Sequence, residues 1–263
     1  MASPSCRGHI AFVGAGPGAP DLLTLRAHAR LRDADLILRD ILVPDQLLAE
    51  TGTRAKVVNV GRLCGGLESQ EDRLTRINEA MLSAYHAGQR VVRLKSGDSL
   101  VFGRAVEELQ ALIERRIPFE LVPGITAGLA AANLAAVPLT ERDVAPSVLF
   151  CTGQTAGGGC DRIEAWASLL RGGSTVVLYM GLKALAGITP RLLAELQGEL
   201  IHVTAVSQVS STSQQSLCAP LSLIEAALKA KPLPTPVVFI LGQSARPLPL
   251  RTPIDFHPSH PHE

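Results

Sequence analysis

The stretch from Arg90 to Arg104, Arg-Val-Val-Arg-Leu-Lys-Ser-Gly-Asp-Ser-Leu-Val-Phe-Gly-Arg, sets chemistry-bearing side chains directly behind an apolar run. A strand that ends in Gly97-Asp98 delivers a carboxylate to the carboxyl end of a sheet, where the crevice of an open α/β fold takes its ligands. Asp98 has two readings there: a turn residue or helix cap, the commonest use of a loop aspartate, or a ligand-holding group. Arg104 and Glu107 follow at a spacing of three, which on a helix puts them on one face, able to orient each other. Taken alone, that pair reads as a surface ion pair at a helix start. A second pattern, Gly14-x-Gly16-x-x-Ala19, matches the relaxed dinucleotide fingerprint, with Asp35 near the position of its acid. Pro17 removes an N–H from the loop that would cradle a pyrophosphate, so an NAD or nucleotide site is the weaker reading.

These groups need a scaffold, and hydrophobic periodicity supplies one. His9 to Gly14 reads as a buried first strand ending in the glycine loop, with a helix over Asp21 to Leu31 and strands at Ala34 to Leu38 and Lys56 to Val60. Gln70 to His86 places Leu74, Ile77, Met81, Leu82 and Tyr85 on one helical stripe, closed by Gly88. The Arg90 strand is followed by a helix beginning near Gly103 with Val106, Leu109, Leu112 and Ile113 on one face, a strand at Phe119 to Val122, and an alanine-rich helix after Pro123-Gly-Ile-Thr126. Strands at Ser147 to Thr152, Thr175 to Tyr179, Val203 to Ser207 and Val237 to Leu241 alternate with helices at 162–170, 190–196 and 221–229. Such alternation predicts βα units and largely parallel sheets, an α/β protein of two domains. The joint is placed at 138/139, giving domains 1–138 and 139–246. A Pro/His-rich tail, 247–263, has no periodicity and is expected to be disordered or draped on the surface.

Bulk properties exclude several classes. A net charge of +1 gives no field for nucleic acid or anionic lipid, and 3% aromatic residues leave few platforms for stacking bases. Cys6, Cys64, Cys151, Cys160 and Cys218 are scattered and never spaced as CxxC, which argues against a disulfide framework or zinc site and fits a reducing cytoplasm. His257, His260 and His262 read as solvated tail residues, and no metal is expected. No apolar run reaches the length of a membrane span, so the chain is expected to be soluble and unprocessed.

The ordered series Val13-Gly-Ala-Gly-Pro-Gly-Ala-Pro-Asp-Leu-Leu-Thr24, Lys95-Ser-Gly-Asp98, Phe102-Gly-Arg104, Glu107-Glu108, Pro123-Gly-Ile-Thr-Ala127, Leu139-Thr-Glu-Arg-Asp143 and Tyr179-Met-Gly181 resembles the tetrapyrrole methylase family, within it the uroporphyrinogen-III C-methyltransferases. The resemblance runs from about Ile10 to Leu241. It implies an S-adenosylmethionine-dependent methyltransferase, yielding S-adenosylhomocysteine, with two α/β domains, an active site in the cleft between them, and a homodimer. It also implies that the glycine loop borders the tetrapyrrole pocket. The donor site carries over onto Pro17, Ser96, Gly97, Asp98, Val101, Thr126, Ala127, Met180, Ala205 and Val237; Met180 alone would read equally as core filler. The acceptor side carries over onto Gly16, Asp40, Arg104 and Arg142, with Arg104, Glu107 and Arg142 as the catalytic set. Guanidinium groups suit an acceptor rich in carboxylates, and Arg104, being a poor base, is expected to bind and position. Asp40 reads equally as an acceptor contact or as a cap of the following loop.

Three departures from the family pattern fall on the acceptor side. The loop commonly written Gly-Asp-Pro-Asp is Gly18-Ala-Pro-Asp21, the turn commonly Gly-Gly-Asp-Pro is Ser96-Gly-Asp-Ser99, and Leu63-Cys-Gly-Gly66 stands where Arg-x-Gly-His is common. Donor use is therefore firmer than acceptor identity. A different tetrapyrrole or corrin precursor as acceptor stays open, and so does a nucleotide-binding protein without methyl transfer.

Overall fold

The structure, a computed structural model, describes residues 8–61, 68–154 and 162–249. The 63–66 segment, three of the cysteines (Cys6, Cys64 and Cys160) and the tail histidines lie outside these residues. Strands β1 (His9–Gly14), β2 (Leu36–Arg39), β3 (Lys56–Asn59), β4 (Arg90–Lys95) and β5 (Glu120–Val122) form one sheet in the order β3-β2-β4-β1-β5, every pairing parallel. Alternate side chains of β1 serve opposite faces, as the two-residue period of a strand requires. Ile10 and Phe12 pack under α3 (Gln70–His86) and α4 (Ala105–Glu114); Ala11 and Val13 pack under α1 (Leu25–Arg32) and α2 (Asp45–Glu50).

A second sheet, β6-β7-β10-β8-β9, comprises β6 (Val148–Thr152), β7 (Thr175–Tyr179), β8 (His202–Ser207), β9 (Gln215–Pro220) and β10 (Val237–Gly242). Here the expectation of a largely parallel sheet fails: only β6 with β7 is parallel, and β7-β10, β10-β8 and β8-β9 are antiparallel. The cause is β9, whose residues Gln215 to Pro220 have no apolar run to announce a strand. It follows β8 after the polar loop 208–214 and pairs back antiparallel as a hairpin does. One face of this sheet is covered by α6 (Ile163–Arg171), α7 (Leu185–Leu196) and α8 (Ile224–Ala230); the other receives α5 (Ala127–Leu134), whose Ala130, Ala131 and Ala132 pack among Val177, Tyr179, Val206 and Ile240. Thus α5 precedes the expected joint in sequence but shares its core with the second sheet.

Other boundaries also shift. The expected helix at 21–31 is a 3-10 turn, Pro20–Leu22, then α1, because Thr24 interrupts it and caps α1 by accepting from the Ala27 N–H at 3.1 Å. On α4, Leu109 and Leu112 are buried, but Val106 and Ile113 face outward and Glu108 takes the inner position. The helix starts at Ala105, after Arg104. Leu248, in the described part of the tail, lies against the body through its N–H to the Ala136 carbonyl at 2.8 Å.

Candidate active site

The glycine loop and the Gly-Asp turn meet at the carboxyl ends of β1 and β4. Gly16 and Gly97, both at positive φ, exchange backbone hydrogen bonds of 3.1 and 2.8 Å. Gly14, Gly97 and Gly124 approach so closely that a Cβ on Gly124 would sit 2.2 Å from the Gly97 carbonyl oxygen, so backbone takes the place side chains would fill. Asp98 ties this junction together: its carboxylate accepts from the Leu100 N–H at 2.9 Å and the Gly124 N–H at 3.0 Å.

Beyond the junction opens a cavity of about 710 Å³ between the two sheets. Of the residues expected to hold the donor, Pro17, Ser96, Gly97, Val101, Thr126, Ala127, Met180 and Val237 line it, as do Asp40, Arg104 and Glu107. Asp98 acts one layer behind the wall through the hydrogen bonds just given. Ala205 is fully buried beneath the helix-covered face of the second sheet and does not line the cavity; Gly16 stays in the loop junction. Arg142 is exposed in the turn closed by Glu141 and Ala145, also outside the cavity wall.

The cavity floor is charged. Arg93, wholly buried, donates to Glu108 at 2.7 and 2.9 Å, to Asp40 Oδ1 at 2.6 Å, and to the carbonyls of Leu38 and Leu94 at 3.2 Å each. Lys95 donates to Glu108 at 2.7 Å and stands 3.8 Å from Asp40 Oδ2. Burial and the neighbouring Arg93 cation pull the Lys95 ammonium below its ordinary range. These buried charges persist because each is paired. Sequence reasoning quotes Lys95 and Glu108 within motifs but gives them and Arg93 no role, although a signal exists: two cations at i and i+2 on an interior strand share one face and require buried partners. At the mouth, Arg104 holds Glu107 at 2.7 and 2.8 Å.

Tyr179, quoted in a motif but given no role from sequence, ends β7 with its hydroxyl 2.8 Å from Thr126 Oγ1 and accepting from the Gly128 N–H at 2.7 Å. Burial raises its pKa. Across the cleft, Ser210 Oγ accepts from the Ala19 N–H at 3.0 Å, joining the β8 loop to the glycine loop. Of nine non-glycine residues at positive φ among the described ones, Phe102, Arg104, Met180, Gln208 and Ser210 line this cavity. Such conformations persist only where the surroundings impose them, and they gather at ligand sites.

Asp35, the acid that spacing offered the dinucleotide alternative, does not reach the glycine loop. Asp35 precedes β2, at the opposite end of the parallel sheet from the glycine loop, and is held by the Arg90 N–H and guanidinium at 2.8 Å. Four residues of strand, roughly 13 Å, separate it from the loop end.

The fold and site together define a class: the chain belongs to the tetrapyrrole (corrin/porphyrin) methylases, whose family model matches residues 9–225. It is 39% identical over 238 residues to the uroporphyrinogen-III C-methyltransferase of Paracoccus denitrificans, covering 90% of this chain and 82% of that one. It is 39% identical over 246 residues to the siroheme synthase of Psychrobacter sp., covering 94% of this chain but 50% of that one, so it spans about half the length of the siroheme synthases it matches. The structure of the Thermus thermophilus uroporphyrin-III C-methyltransferase complexed with S-adenosylhomocysteine superposes with a TM-score of 0.74 at 32% identity, covering 90% of this chain and 98% of that one.

Proposed function

We propose that this chain is an S-adenosylmethionine-dependent methyltransferase that methylates uroporphyrinogen III at C2 and C7, giving precorrin-2 for sirohaem, cobalamin or haem d1 synthesis. The observation that carries the reading is that a single cavity, in a chain of this family, collects eight of the ten donor-site residues together with Asp40, Arg104 and Glu107.

The residues fit the donor. Its wall is backbone, apolar side chains and hydroxyls (Gly97, Val101, Thr126, Ala127, Met180, Val237), with no cation among these residues to repel a sulfonium. When bound there, S-adenosylmethionine supplies an electrophilic methyl group. The chain's own task is alignment in a site with little water, because the displacement disperses charge. A pyrrole nitrogen of the acceptor supplies the electron push. Arg104, oriented by Glu107, is placed at the mouth to hold acceptor carboxylates by paired N–H donors. Asp40, anchored by Arg93 through Oδ1, keeps Oδ2 beyond hydrogen-bonding distance of Lys95; that oxygen takes the proton leaving the bridge carbon. Arg142, outside the wall, enters no step. A homodimer in the cytoplasm completes the reading; among the described residues no helix is long and apolar enough to cross a membrane.

The test is anaerobic incubation with S-adenosylmethionine and enzymatically generated uroporphyrinogen III, followed by mass spectrometry of the tetrapyrrole. A gain of two methyl groups is expected. No gain with S-adenosylhomocysteine still bound would redirect the search to another tetrapyrrole, and no binding of either would revive the nucleotide reading.

A further inference from the structure

We propose that Lys95 is a positioning residue for the Asp40 carboxylate, sharing with Arg93 the task of fixing it at the cavity floor while Glu108 anchors both cations. The proposal rests on the reading of Asp40 as the group that takes the departing proton. Arg93 is immobilised by donors to two carboxylates and two carbonyls, so it holds Asp40 Oδ1 at 2.6 Å but leaves the carboxylate free to turn about that one contact. Lys95 removes that freedom. Its ammonium is pinned to Glu108 at 2.7 Å and faces Asp40 Oδ2 at 3.8 Å, close enough to attract the oxygen and too far to occupy its lone pairs. Two cations and two carboxylates cancel formally; Arg93, Lys95 and Glu108 are buried from solvent, while Asp40, 24% exposed, is the member that opens to the cavity. The other charged groups on the cavity wall are the Arg104–Glu107 pair at the start of α4, Arg73 on α3 and Asp21 of the first loop.

Because burial and Arg93 lower the Lys95 pKa, the ammonium loses its proton below the ordinary lysine value of 10.5. The wild-type kcat should therefore fall on the alkaline side from below that value. In Lys95→Met, kcat should drop about a hundredfold, the effect of a misplaced reacting group, with KM for the acceptor and S-adenosylhomocysteine affinity within about threefold of wild type. The alkaline limb should vanish with the ammonium. Lys95→Gln, which keeps a donor toward Glu108, should recover part of kcat without restoring the limb, and it carries the same test should the methionine variant lose S-adenosylhomocysteine binding. Wild-type kcat in either variant with donor binding intact, or an unchanged alkaline limb, overturns the proposal. Asp40→Asn separates the two claims: an inactive Asp40→Asn beside a Lys95→Gln of wild-type kcat sinks only the role of Lys95, whereas an active Asp40→Asn sinks the reading of Asp40 with it.

Discussion

Asp98 carries its load through the backbone. Both carboxylate oxygens are engaged by N–H groups, one of its own turn and one of the loop after β5, so it sets the shape of the turn that Ser96 and Gly97 present to the cavity. Asp98→Ala leaves two N–H groups to seek other acceptors and should lower stability by about 2 kcal/mol, read as a shift in urea midpoint at constant slope. S-adenosylhomocysteine affinity, measured by calorimetry, should fall about tenfold, since a slackened turn loses its preorganisation. Arg104 poses a different problem, because its φ is 56°. Asparagine tolerates the left-handed region, so Arg104→Asn removes the guanidinium without adding backbone strain. Turnover should be lost with donor affinity within about twofold of wild type if the guanidinium works through pairing with carboxylates; loss of donor binding would move Arg104 out of the acceptor side.

At the scale of elements, the first turn of α5 meets the end of β7 through Tyr179. A Cβ on Gly128 would lie 2.4 Å from the Tyr179 oxygen, so Gly128→Ala must displace a hydroxyl that also meets Thr126. A loss of about 2 kcal/mol is expected, the cost of buried polar groups left unpaired. Donor binding should weaken as well, because Thr126, Ala127 and Tyr179 share the cavity wall. Unchanged stability would mean that Tyr179 turns aside freely. The Ser210 bond to Ala19 crosses the cleft, and Ser210→Ala should cost about 1 kcal/mol while speeding hydrogen exchange at the Ala19 amide, with distant core amides unaffected.

Across the whole molecule, acid stability follows from carboxylates held by arginines. The Arg90 guanidinium and N–H lower the Asp35 pKa from 3.8 to about 2, and Arg30 and Arg76 lower Glu120 and Glu68. Each folded pKa is depressed, so the contribution is present above the unfolded value and disappears as pH falls through the folded one. For Asp35 that window runs from about 3.8 to about 2. Asp35→Asn should flatten the pH dependence of urea stability there, with a small effect at pH 7 because the pair is exposed and screened. The same residue shows how far local pattern reaches. Spacing from the glycine loop made Asp35 a nucleotide acid, yet it lies at the far end of a parallel sheet. Nine of the ten described strands, the long α3 helix, the loop after β1 and the turn after β4 were legible because apolar period and glycine placement are local, whereas β9 has no apolar run. The residues assigned to the donor came instead from the likeness to the family, and eight of those ten share one cavity wall. Tertiary structure alone decided the antiparallel half of the second sheet, the burial of Ala205, the position of Arg142 outside the cavity, and the Arg93–Glu108–Lys95–Asp40 floor. Each of these depends on partners far apart in the chain, and a buried charge is tolerable only where the fold brings its counter-charge to meet it.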